Sequence, residues 1–174
     1  MSTFLRTIEF LSLSLWLGSD VFLSFVVAPG AFRILESRDQ AGTMVGFALG
    51  RMHLVGIACG LAILLARLVR TKTFASFVAP AALCVLLMLA LTAISQYTVS
   101  PKMAALRVQM GSIESVTAKR STQATAAGSP LLAEFGRLHR ISASLEGCVL
   151  LAGMAALYLM VRESAAGQQI STSG

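Results

Sequence analysis

Residues 73 to 101 carry no charge at all, and nothing else in the chain limits its folding so tightly. A helix needs about 20 apolar residues to cross the hydrocarbon of a bilayer, and this run exceeds that. Three more runs are bracketed by charge: 7 to 32 between Arg6 and Arg33, 40 to 66 between Asp39 and Arg67, and 141 to 161 between Arg140 and Arg162. Each is long enough to cross once.

Composition agrees. The apolar fraction is 56% and the charged fraction 13%, against roughly 45–50% and roughly 25% in soluble domains. A soluble chain of 174 residues could not enclose that apolar surface in one core. The expected fold is all-α, an integral membrane four-helix bundle in one transmembrane domain over residues 1–163, with spans at about 5–29, 43–69, 78–100 and 141–161. The first run reads as a retained span, too long and too acidic for a cleaved signal peptide, with Pro29 and Gly30 ending its helix.

Residues 111 to 130 are polar and rich in Ala, Ser and Thr, and read as the tip of a long third connection. Ser129 and Pro130 suit the N-cap and first position of a fourth helix. From Pro130 to Val161 that helix is ~48 Å long, more than a bilayer's thickness. Helices three and four are therefore expected to protrude as a hairpin over residues 101–140, a surface open to a protein partner. The tail, 164–174, has no apolar face and is expected to be disordered. No internal repeat is evident.

The net charge is +6, which in a membrane chain bears first on loop placement and anionic lipid. Arg6, Arg67, Arg70, Lys72 and Arg162 fall on one side of a four-span bundle, and the other nine basic residues on the opposite side. That excess places loops one and three in the cytoplasm. Basic residues form no dense run and do not interleave with aromatics, so no nucleic-acid partner is expected. Cys59, Cys84 and Cys148 all lie in apolar runs, an odd set that argues against disulfides.

The polar residues inside the spans fall on shared faces, since positions seven apart nearly align on a helix. Glu9, Trp16 and Asp20 share a face of the first helix, with Leu13 between them. Gly46, His53, Gly56 and Gly60 share one on the second, where Gly56 and Gly60 allow close helix contact. Thr92 and Ser95 lie together on the third, with Gln96 beside them. Phe135, His139, Ser142, Glu146 and Gly153 share a face of the fourth. Asp20 sits near mid-span, and Glu146 lies ~9 Å inside Arg140 along the helix. An ionised acid at that depth costs about 2.5–3.5 kcal/mol, so it needs a partner, water or a proton. Asp20, Arg51, His53, His139, Ser142 and Glu146 are the candidate pocket, with Arg51 able to neutralise one acid. At the other end Glu9 is expected near Arg67. The alternative is a set of interhelical hydrogen bonds that only packs the bundle.

The segments WLGSDVFLSFVVAPGAF, AGTMVGFALGRMH, QYTVSPKMAALR and FGRLHRISASLEGCVLLAGMAAL come in an order that resembles the transmembrane protein 205-like family over roughly residues 5 to 160. Its bacterial members are described mainly as a domain of unknown function. The resemblance implies a small four-span protein of, here, the bacterial inner membrane. A eukaryotic member is linked to platinum-drug resistance and export, which implies transport or trafficking. Matching positions are Pro29, Phe32, Pro101, Arg107, Phe135, His139 and Ser142. The family pattern often has Asn where this chain has Glu146, and an acid there changes the charge of the pocket.

The first functional expectation is a small transporter or transport accessory with a polar path for an ion, metal or small molecule. A narrower form uses Cys84, Met88 and Cys148 as soft ligands for Cu(I) or platinum, against ordinary packing by Met and Cys. A second is b-type haem held by His53 and His139, the two histidines. A third is a structural or partner-binding protein. No cofactor is expected, and no nucleophile–base–acid set or HExxH spacing points to an enzyme.

Overall fold

A computed structural model describes the backbone of residues 2–117 and 124–172, and side chains over 3–110 and 130–166. Among the described residues there are helices and no strand. They make four apolar helices long enough to cross a membrane: Thr3–Ile34, Arg38–Thr71, Pro80–Met110 and Pro130–Ala166. The chain is thus built as a multi-pass membrane protein.

The first span does not end at Pro29. Helix α1 (Ser2–Phe22) passes through a π turn, Leu23–Val27, into α2 (Ala28–Ile34). Ala28 N–H bonds to Leu23 O, five residues back. That wider turn takes up the register just before Pro29, whose ring and missing N–H would otherwise break an α-helix. Helix α3 (Arg38–Thr71) is the second span. Ser37 caps it by accepting from Gln40 N–H at 3.0 Å, and Lys72 closes it with a left-handed backbone, φ 54°. A 3-10 turn, Phe74–Val78, leads to α4 (Pro80–Ile94), which starts on its proline. A second π turn, Ser95–Val99, joins α4 to α5 (Ser100–Thr117). The fourth helix, α6 (Ala124–Thr172), begins ahead of the expected Ser129–Pro130 start, with Pro130 inside it. Pro130 is exposed. The backbone also stays helical through Thr172, past residue 163 where a disordered tail was expected.

Packing runs round a ring: α1 on α3, α3 on α4, α4 on α6, and α6 back on α1. The core between them holds Leu13, Trp16, Ile63, Val85, Met88, Val149 and Ala156. The outside is apolar, with Leu11, Leu15, Phe22, Leu61, Leu65, Leu87, Leu151 and Tyr158 exposed, while Glu9, Asp20, His53, Arg67, Ser95 and Glu146 are buried. This inversion is what lipid demands. Gly56 and Gly60 lie on the face of α3 that packs closely on α1 and α4. Gly56 makes room for the Trp16 indole, 2.5 Å from where its Cβ would stand, and Gly60 for Leu89 at 2.6 Å and the same indole at 2.8 Å. Past the bundle, α5 and the first part of α6 continue as the expected hairpin, closed by Val99, Leu106 and Leu138. Arg107 stacks on the Phe135 ring at 5.4 Å.

The bundle contains a repeat that the sequence hides. Pro29 and Pro101 each stand two residues after a π turn. Glu9, Leu13, Trp16, Asp20 and Leu23 are buried at the same spacing as Ala81, Val85, Met88, Thr92 and Ser95. In the second helix of each pair, His53, Gly56, Cys59, Gly60, Ile63 and Arg67 match Glu146, Val149, Ala152, Gly153, Ala156 and Met160. Two similar hairpins pack side by side, both running in the same direction.

Candidate functional site

The repeat places His53 and Glu146 at equivalent positions, and there the hairpins meet. His53 Nε2 lies 2.7 Å from Glu146 Oε1. His53 Nδ1 lies 2.9 Å from Gln96 Oε1, and Ser95 Oγ–H donates to Glu146 Oε1 at 3.0 Å. Imidazole nitrogens facing two oxygens use both sides of the ring, so His53, fully buried, is held on both edges. The second π turn matters here. Ser95 and Gln96 are neighbours in sequence and sit within that turn, and both reach the same buried pair.

Asp20 completes the site from α1. It is 1% exposed and within electrostatic reach of Glu146 and His53. Neither of its carboxylate oxygens makes a well-formed hydrogen bond, although the Ser24 side chain one turn on lies close enough to interact with them; Glu146 Oε2 and Thr92 Oγ1 have no hydrogen-bond partner among the described residues. Thr92 is the repeat equivalent of Asp20. The site therefore combines a paired His–Glu core with a second buried carboxyl group from the first helix.

Charge counting sets its chemistry. Two carboxyl groups and one imidazole are buried within electrostatic reach of one another, so even a protonated His53 leaves one negative charge unbalanced if both acids are ionised. Buried in a membrane bundle, that imbalance calls for one more positive charge. Among the described residues, no three or more His, Cys, Asp or Glu side chains converge as a metal-ligand set.

The expected residues divide. Asp20, His53 and Glu146 come together, with Ser142 buried on the Glu146 face. Arg51 does not join them: it is exposed and stacks on the Phe47 ring at 5.2 Å. Arg51 and His53 are ~200° apart round α3, so one turned inward sends the other out. His139 is exposed too. At its height α6 packs on α5 through Leu138, which rotates the buried face one residue away from His139. The two histidines are thus not brought together, and the haem arrangement loses its ligand pair. Cys84 is half-buried against the core that holds Met88, whereas Cys148 is exposed, so the three expected soft ligands are not gathered in one buried site.

Ser95 and Gln96 belong to the site but were not among the expected pocket residues. Their signal was present, as polar side chains on one side of the uncharged run. At the far end Glu9 pairs with Arg70, not Arg67, through bonds of 3.0 Å and 3.3 Å. Arg67 instead holds Glu163 at 2.6 Å.

No curated protein and no solved structure matches the chain. Residues 11–112 match a domain of unknown function, DUF4149, a stretch that holds Asp20, His53, Ser95 and Gln96 but not Glu146. Covering more than half of the 174 residues, that match makes the chain a member of the DUF4149 family.

Proposed function

We propose that the protein is a small proton-linked transporter, or the accessory subunit of one, with its proton site at Asp20, His53 and Glu146. The observation that carries this is the buried charge imbalance, two acids against one imidazole with no buried cation paired to them. Ionisable groups that face the interior of a membrane bundle are the usual material of proton relays. The repeat adds support, because transporters built from parallel repeats place substrate and coupling-ion sites where the repeats meet. The resemblance to the transmembrane protein 205-like family points the same way, towards transport or trafficking. On this reading the chain lies in a bacterial inner membrane with loops one and three in the cytoplasm, where the larger share of basic residues falls.

The test is a sensitivity screen in cells that lack the gene, challenged with toxic ions, metals and small organic compounds across a range of external pH. Complementation by the wild type should be lost with Asp20→Asn and with Glu146→Gln at unchanged membrane abundance. Wild-type behaviour of both amides would remove the basis of the reading.

A further inference from the structure

A second ionic site lies at the opposite end of the bundle and takes no part in the proton chemistry. There a cleft opens between α1, α3 and α6, lined by Arg6, Glu9, Phe10, Arg70, Met160 and Glu163 among others. Its charges do not balance. Arg70 neutralises Glu9, which is almost wholly buried, and Arg67 neutralises Glu163. Arg6 makes no ion pair among the described residues, so one guanidinium charge is in excess. The guanidinium that holds Glu163 also keeps a donor to spare, since Arg67 Nε–H is buried with no acceptor.

We propose that this cleft binds a phosphate oxyanion, held by Arg6. Both glutamates at the cleft are already paired and so do not repel an anion. Guanidinium groups match the oxygens of a phosphate with several donors at once. The inner space is only water-sized, so the guest enters by an oxygen and not as a whole headgroup. Phe10 and Met160 give the cleft apolar walls beside the charge. The cleft also lies where α1 begins and α3 ends, at one end of the apolar spans, where a bilayer's headgroups begin. The phosphodiester of an anionic phospholipid and free phosphate offer the same oxyanion, and they are separated by experiment.

The full chain in a zwitterionic detergent is titrated with phosphatidylglycerol, phosphatidylcholine or inorganic phosphate, with thermal unfolding as the readout. Phosphatidylglycerol should stabilise the wild type, and Arg6→Gln should weaken its apparent affinity about fivefold, the effect of ~1 kcal/mol for one basic residue at an anionic surface. Arg162→Gln removes a charge at the same end, from a residue stacked on Tyr158 at 5.8 Å, and should leave the affinity unchanged. Stabilisation by inorganic phosphate that also depends on Arg6 supports the site and assigns it to a soluble ligand. Equal response to phosphatidylglycerol and phosphatidylcholine, or an Arg6→Gln response equal to wild type or matched by Arg162→Gln, overturns the proposal.

Discussion

His53 and Glu146 hold the same place in two structurally repeated hairpins, and their side chains meet at 2.7 Å. The repeat has diverged most where it matters: one copy supplies an imidazole and the other a carboxyl. The flanking equivalents have diverged too, with Asp20 in one copy and Thr92 in the other. A symmetric frame thereby holds an asymmetric, acid-rich centre.

Removing the acid should expose the cost of that centre. Glu146→Ala leaves the His53 ring and the Ser95 hydroxyl without their shared oxygen, and should destabilise the protein by about 1–3 kcal/mol. Glu146→Gln keeps an oxygen for Ser95 or His53 and should cost less. Chemical unfolding in detergent micelles compares the two. The pairing is in doubt if alanine proves no worse than glutamine.

The tryptophan seat gives a steric prediction. A methyl at Gly56 would stand 2.5 Å from Trp16 Nε1, in an indole that is 1% exposed and has nowhere to go. Gly56→Ala should therefore lower stability by about 1–3 kcal/mol. Gly18→Ala, where nothing lies within 4 Å, should be neutral. Paired thermal melts give the comparison.

At the far end, Glu9→Gln should be costly, because it leaves Arg70 and a buried amide in place of a two-bonded ion pair. Glu9 is 3% exposed but the Arg70 side chain is 16% exposed, so partial solvation reduces the loss to about 1–3 kcal/mol. A double-mutant cycle with Arg70→Gln should show positive coupling. Additive losses would mean that the pair contributes little.

Two residues that looked functional should prove silent. His139→Ala and Arg51→Ala remove exposed side chains and should shift stability by no more than about 0.5 kcal/mol. Complementation in the sensitivity screen should match the wild type. Loss of activity with His139→Ala at normal abundance would place a functional surface on the hairpin.

Much of this architecture is legible from charge alone, because ionic residues bracket each span and lipid tolerates few inside. The inner face of α1 is legible as well, since Glu9, Leu13, Trp16 and Asp20 follow the helical period and all are buried. Pro29 misleads because a proline reads as a helix end, and only backbone coordinates show the π turn that accommodates it. The repeat is hidden because equivalent positions keep their burial while changing chemical type, as in Trp16 and Met88. His139 misleads because a face drawn along one helix assumes the same neighbour throughout, whereas α6 exchanges α1 and α4 for α5. Ion-pair partners such as Glu9 and Arg70 depend on relative rotation and depth of two helices, which no single sequence specifies.

If Asp20, His53 and Glu146 together hold a proton inside the bundle, as proposed, infrared difference spectroscopy of the purified protein in lipid should detect it, by the C=O stretch of a protonated carboxyl group that shifts on deuterium exchange. The band should be present in the wild type and lost in the Asp20→Asn, Glu146→Gln double variant. A wild-type spectrum with no protonated-carboxyl band, or a band unchanged in the double variant, would mean that the three residues hold no such proton.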